Sequence, residues 1–95
     1  MTNASGKKRY WGMVSPHMPA SVLAGVAKQQ EDIGLEGTWA AQVFGPPFSP
    51  LAAAATSTQR LLLGTGIAIA FTRSPFETAM AAIDLDRMSN GRTIL

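Results

Sequence analysis

Apolar residues run from Leu61 to Phe71 without alternation: Leu61, Leu62 and Leu63, then Gly64-Thr65-Gly66, then Ile67, Ala68, Ile69, Ala70 and Phe71. A strand covered on both faces reads this way, as in a parallel sheet wrapped by helices. Thr72 and Arg73 close the run with polar side chains at the strand's carboxyl end, where α/β sheets place their ligand sites. Ser74-Pro75-Phe76-Glu77 then matches a capping box. Ser74 accepts from the Glu77 amide, Glu77 reaches back, and Pro75 suits the first helical position. Phe76, Ala79, Met80 and Ile83 recur at helical spacing and predict the helix's buried face. Asn90-Gly91 stops it, Gly91 tolerating the left-handed conformation. Arg92-Thr93-Ile94-Leu95 opens another strand.

The rest of the chain repeats this rhythm. Tyr10-Trp11-Gly12-Met13-Val14, closed by Ser15-Pro16, predicts a first strand and its exit loop. Pro19 opens a helix with Val22, Leu23, Val26, Ala27 and Ile33 on its buried face. Lys28, Gln29, Gln30, Glu31 and Asp32 take its wet side, and Gly34 closes it. Gly37 to Phe44 predict a second strand, left through Gly45-Pro46-Pro47-Phe48. Ser49 is expected to cap a second helix, with Pro50 in its first turn, Leu51 and the alanines packing it, and Thr56-Ser57-Thr58 weakening its end. Strand starts near 10, 37, 61 and 92 lie 27, 24 and 31 positions apart. That alternation requires a parallel sheet with right-handed crossovers. Three βα units and the opening of a fourth strand cannot close an eight-stranded barrel of roughly 250 residues. Two architectures stay open: the amino-terminal part of such a barrel, or a small open α/β sheet complete in itself, whose apolar edge is then unpaired.

Composition excludes more than it names. Ninety-five residues, 46% hydrophobic and 15% charged, describe one small globular domain. No cysteine means no disulfide and no thiolate metal site, which fits a cytoplasmic protein. A net charge of +2 gives no footing for nucleic acid, and the cationic cluster Lys7-Lys8-Arg9 falls within residues 1–9, which read as a disordered polar tail. No segment approaches the ~18 apolar residues of a membrane span, and the amino terminus has no signal-peptide core. No metal-ligand constellation is visible. Gly64-Thr65-Gly66 is no dinucleotide fingerprint, because it lies inside a strand and lacks the third glycine before a helix.

The string GTGIAIAFTRSP at residues 64–75, followed by a helix ending in SNGR and a hydrophobic strand, resembles the luciferase-like monooxygenase superfamily of flavin- and deazaflavin-dependent oxidoreductases. Its actinobacterial deazaflavin branch is nearest, and the resemblance extends more weakly from about Trp11 to Leu95. It implies a partial (β/α)8 TIM barrel, with residues 10–95 forming the first three βα units and the start of strand four. The full-length parent would then be an oxidoreductase or monooxygenase acting on a small-molecule substrate, with a homo-oligomer open to it. It would move a hydride to or from the ring of the deazaflavin coenzyme F420, or activate oxygen on reduced FMN.

In a barrel the loops after each strand converge on one face. The resemblance implies a cis peptide there at Gly66-Ile67, with Ala68 and Ile69 next to the cofactor ring; taken without it, Gly64 and Gly66 merely ease close packing. Gln42 falls where many members carry an acidic residue or a neighbouring histidine used in proton transfer. An amide cannot act as a general base, so this departure leaves Gln42 to orient a cofactor or substrate carbonyl. His17, the only histidine, follows the first strand and can exchange a proton near neutral pH, although a single histidine without matched carboxylates is by default a surface-loop residue. Arg73, Asp84, Asp86 and Arg87 read as formers of surface ion pairs. Cofactor phosphates in such barrels sit at the loops of strands seven and eight, so the 95-residue chain alone is expected to be inactive. The rival reading is a non-catalytic open α/β module that associates through its sheet edge and a Trp39-Phe44-Phe48 surface.

Overall fold

The structure, a computed structural model, describes residues 9–15, 17–42, 46–67 and 74–94. Four strands, β1 (Trp11–Met13), β2 (Gly37–Ala40), β3 (Leu62–Thr65) and β4 (Thr93–Ile94), alternate with three helices, α1 (Ala20–Asp32), α2 (Phe48–Ala55) and α3 (Pro75–Met88). Neighbours pair in parallel in the order β1-β2-β3-β4, with Trp11 opposite Gly37, Trp39 opposite Gly64 and Gly64 opposite Ile94. Regular pairing is shorter than the apolar runs that predict it, since β2 and β3 have four residues each. Residues 43–45 and 68–71 of those runs lie outside the described residues.

Signals that act within one turn of chain appear where the sequence puts them. The Ser74 hydroxyl accepts from the Glu77 N–H at 3.1 Å, ahead of Pro75. Past its end, α3 unwinds through Asn90 (φ 58°) and Gly91 (φ 82°), and Gly34 (φ 95°) follows α1 in the same conformation. Ser49, in contrast, caps nothing. Helix α2 begins one residue earlier, with Pro47 in the cap position at φ −71° and ψ −16° and no side-chain cap bond. The proline ring presets helical φ, so the chain enters the helix before reaching the serine.

Alternation along the strands sends Val14, Thr38, Ala40, Leu61 and Leu63 to one side of the sheet, where all are fully buried. All three helices cover that side. Leu23 and Ala27 of α1, Phe48, Leu51, Ala54 and Ala55 of α2, and Leu85 of α3 share one core with the strand residues. Trp11, Met13, Trp39, Leu62 and Gly64 face the other side, where Met13 is 61% exposed. A doubly wound sheet has helices on both sides and reverses its strand order; sequential order with helices on one side is the winding of a (β/α)8 barrel. The fold is a partial barrel, its first three βα units and the start of a fourth strand.

Two predicted helix faces are also corrected. Val22 and Ile33 are exposed, and so are Phe76, Met80 and Ile83, the last three at 72%, 56% and 68%. A 3.6-residue period marks an apolar stripe without saying which neighbour covers it. Helix α2 meets only the flank of α3 that carries Ala81 and Leu85.

Glu31, expected on the wet side of α1, is 3% exposed. One of its oxygens, Oε2, accepts the backbone N–H groups of Gln59, Arg60 and Leu61 at 2.8, 2.6 and 2.8 Å. Nearby, buried Arg92 donates from Nε to Ser89 O at 2.6 Å, from Nη1 to Thr58 Oγ1 at 2.7 Å and Leu61 O at 3.0 Å, and from Nη2 to Ala55 O at 3.3 Å. These charges tie the ends of α1, α2 and α3 to the amino ends of β3 and β4, the barrel face associated with stability rather than catalysis.

Burial pushes the Glu31 pKa up, but the N–H groups of Arg60, Leu61 and Gln59 and the Arg60 charge outweigh it and hold the group at about 2, down from 4.5. Burial draws the Arg92 pKa down against the opposing pull of the Glu31 charge. A carboxyl whose folded pKa is depressed contributes stability that is complete above its unfolded value and lost as pH falls through its folded value. Thermal midpoints should therefore drop most steeply between pH 4.5 and about 2, by the equivalent of about 3 kcal/mol. The same scan on Glu31→Gln should be flatter; superimposable slopes would remove Glu31 as the cause.

Candidate functional site

The carboxyl ends of the strands share one edge of the sheet, and the segments leaving them define the site. The chain leaves β1 through Val14, whose N–H donates to Trp39 O at 3.0 Å. It leaves β2 through Ala41 and Gln42 and β3 through Gly66 and Ile67. The Gly66 N–H donates to Ala40 O at 2.8 Å and the Gln42 N–H to Ile67 O at 3.1 Å, so these two ends are tied together beyond their regular pairing. The Gly66–Ile67 peptide bond is cis, at the position the resemblance implies. Ile67 is 74% exposed, an apolar side chain presented at the rim. Ala68 and Ile69 lie outside the described residues, as do Phe44 and Arg73.

His17 is exposed in the loop after β1. Its Nδ1 lies 2.8 Å from the Ser15 hydroxyl and its Nε2 3.5 Å from the same oxygen. The Met18 N–H reaches Ser15 O at 3.4 Å, which bends the loop back on itself. The structure thus joins Gln42 to Gly66–Ile67 through a backbone hydrogen bond, and joins His17 to Ser15. Sequence reasoning does not single out Ser15; the available signal is a hydroxyl two positions before a lone histidine in a strand-exit loop.

An aromatic stack fills the helix-free side of the sheet. The rings of Trp11 and Trp39 lie with centroids 4.3 Å apart and planes 24° apart. Each indole rests on the glycine opposite it in the next strand: a Cβ on Gly37 or on Gly64 would come within 3.0 Å of ring atoms of Trp11 or Trp39. Gly66 differs, because a Cβ there would meet Trp39 at 3.4 Å, ordinary contact. Trp11 Nε1 donates to Glu36 Oε1 at 3.0 Å, and exposed Arg9 pairs with Glu36 Oε2 at 3.1 Å. Residues 1–8 of that tail lie outside the described residues. Of the rival's surface residues, Trp39 is half-buried in the stack and Phe48 belongs to the core, while Phe44 lies outside the described residues.

The other expected polar residues serve structure. Arg87 pairs with Asp84 one turn away, and Asp86 Oδ1 accepts the Thr93 N–H at 3.1 Å. Among the described residues no cluster of three histidines or carboxylates could hold a metal ion, and no helix is long and apolar enough to cross a membrane.

The sequence model of the luciferase-like monooxygenase family matches residues 4–95. Uncharacterised proteins of Mycobacterium bovis and Mycobacterium tuberculosis are 40% identical over 84 residues, which is 88% of this chain and 24% of theirs. A Mycobacterium tuberculosis protein named for coenzyme F420-dependent oxidoreductase activity is 39% identical over 87 residues, 90% of this chain and 24% of its own length. Among solved structures, the coenzyme F420 dependent tetrahydromethanopterin reductase from Methanopyrus kandleri superposes with a TM-score of 0.82 at 30% identity, over 90% of this chain and 25% of that one. The chain spans about a quarter of the length of these relatives.

Proposed function

Since this chain belongs to the luciferase-like monooxygenase family, we propose that it forms the amino-terminal arc of an oxidoreductase that acts on a small-molecule substrate with a deazaflavin. The observation that supports this best is the match in both sequence and fold to proteins whose names specify coenzyme F420. That match favours deazaflavin over reduced FMN.

The residues at the strand ends fit a flat, mostly apolar ring edged with polar atoms. Ile67 offers exposed apolar surface, Gly66 has no side chain to stand in front of it, and Gln42 and the Ser15–His17 pair bring donors and acceptors to the same edge. In this reading Gly66, Ile67, Ala68 and Ile69 back the ring, and Gln42 orients the ring or a substrate carbonyl through its amide. When bound, the cofactor supplies hydride transfer at the five position of its ring. The contribution of this chain is placement and exclusion of water, and Gln42 moves no proton because an amide has none to give near neutral pH.

Three βα units supply only one side of such a site. Titrating the 95-residue polypeptide with oxidised and reduced deazaflavin should give no micromolar binding, whereas a chain extended to the length of the relatives should bind. Micromolar binding by the short polypeptide would overturn the arc assignment. Preference of the extended chain for FMN would overturn the choice of cofactor.

A further inference from the structure

We infer that the outward face of α3, where Phe76, Met80 and Ile83 form an exposed apolar stripe, seats a second copy of this chain, the two α3 helices lying antiparallel across a twofold axis. Leu85 marks the side of α3 that meets the core. At about 100° per residue, the three stripe residues lie about 140–180° around the helix from Leu85. In a (β/α)8 winding a helix meets the sheet beneath it and one helix on each flank. Helix α2 holds the flank of Ala81 and Met88, and the opposite flank, with Ala82 and Asp86, lies beside Thr93 of β4. The stripe runs between the two flanks and points away from the barrel. A further helix of the same barrel would take the second flank and leave the stripe uncovered.

The surface itself selects the occupant. A hollow of about 490 Å³ follows the stripe, lined by Met80, Ala81, Ile83, Asp84 and Arg87. Its volume would suit a small molecule, but all five residues belong to one helix, so the opposing wall has to come from another surface. Helix α3 carries three acids, Glu77, Asp84 and Asp86, against one base, Arg87, which disfavours an anionic lipid surface. Its charges are ordered along the axis, Glu77 in the first turn and Arg87 in the last. Parallel copies would set each charge beside its like. Antiparallel copies bring Glu77 of one to Arg87 of the other and Met80 of one to Ile83 of the other about the same midpoint, and the twofold axis repeats both pairs. Arg87 keeps donors beyond those used in its surface pair with Asp84. Phe76 of the second copy then arrives beside Met88, at a groove of about 170 Å³ between α2 and α3 edged by Ser49 and Ala52. One helix face falls short of the ~20 residues a side of a standard interface, so the dimer is expected to be reversible.

Sedimentation of the 95-residue chain should show a monomer–dimer equilibrium. Ile83→Glu should weaken it about tenfold or more. Glu77→Lys and Arg87→Glu should each weaken it, and the two combined should restore it, because the swapped charges again face their opposites. The chain has no cysteine, so one introduced thiol reports on its own surroundings. Ile83→Cys, next to its counterpart across the axis, should form a disulfide-linked dimer under mild oxidation, several-fold faster than Val22→Cys, whose site is exposed on α1. A wild-type chain that stays monomeric at millimolar concentration overturns the inference. So does a dimer indifferent to these substitutions, as association through the open sheet edge would be, and so does equal cross-linking at positions 22 and 83. Failure of the double charge swap to restore association overturns the antiparallel arrangement. If Ile83→Glu does not fold, the cross-linking comparison decides. None of these readouts needs a cofactor.

Discussion

Replacing Glu31 by alanine should remove about 3–5 kcal/mol of folding stability, the largest loss expected from any single truncation in this chain. A domain of 95 residues has on the order of 5–14 kcal/mol to lose, so this loss is a large share of the total. The reason is a mismatch of numbers: one carboxylate oxygen satisfies three consecutive backbone donors, at Gln59, Arg60 and Leu61. Alanine leaves all three without their acceptor, and Leu61 is fully buried, where water cannot replace it. The alanine variant also strips the nearby buried Arg92 of a counter-charge. Glu31→Gln keeps an acceptor oxygen but loses the charge and turns an NH2 group toward donors, so it should fall between the two. Urea denaturation of the three chains measures the effect. A midpoint for Glu31→Ala within error of wild type would show that the 59–61 turn finds other partners.

This same residue shows where the sequence stops being legible. Lys28-Gln29-Gln30-Glu31-Asp32 is polar throughout and reads as a solvated face, and for Lys28 and Asp32, which pair with each other at the surface, that is right. Nothing within five residues of Glu31 distinguishes it; its partners lie 28–30 positions away. Such a contact exists only after α1 has packed beside α2. By contrast, the Ser74 cap and the Gly34 and Gly91 stops each act within one turn of chain, and composition places them correctly.

The order of the sheet was legible too, because 24 to 31 residues between strand starts leave room for one helix and a parallel return. The face of α3 was not, because an apolar stripe says nothing about which neighbour lies beside it. At the site, the cis Gly66–Ile67 bond and the proximity of Gln42 follow from resemblance and topology, whereas Ser15 emerges only from the distance to His17.

Gly64→Ala is the second large effect expected, and it should come from the side of the sheet without helices. The added Cβ would fall within 3.0 Å of Cζ3 and Cε3 of Trp39, a separation that real Cβ atoms do not show. The indole has little room to move. Trp11 stacks on it at 4.3 Å, and Trp11 itself lies on Gly37 with no space for a Cβ there either. Displacing one ring therefore displaces two rings and two strands. Overpacking of this kind costs about 1–3 kcal/mol, and a fall in thermal midpoint on the order of 10 °C is expected for a domain of this size.

Removing the obstacle should recover much of the loss. The double variant Gly64→Ala with Trp39→Leu is expected to be less destabilised than the sum of its parts, a coupling of about 0.5–3 kcal/mol. Gly66→Ala supplies the contrast, since its Cβ would meet Trp39 only at ordinary contact distance. Its midpoint should stay close to wild type, while deazaflavin binding by a chain of the relatives' length should weaken at least tenfold, because the methyl occupies space assigned to the ring. Calorimetric melting of the three single variants and the double separates the two roles. Equal destabilisation by Gly64→Ala and Gly66→Ala would mean that the two glycines serve the same packing, and would take Gly66 out of the cofactor site.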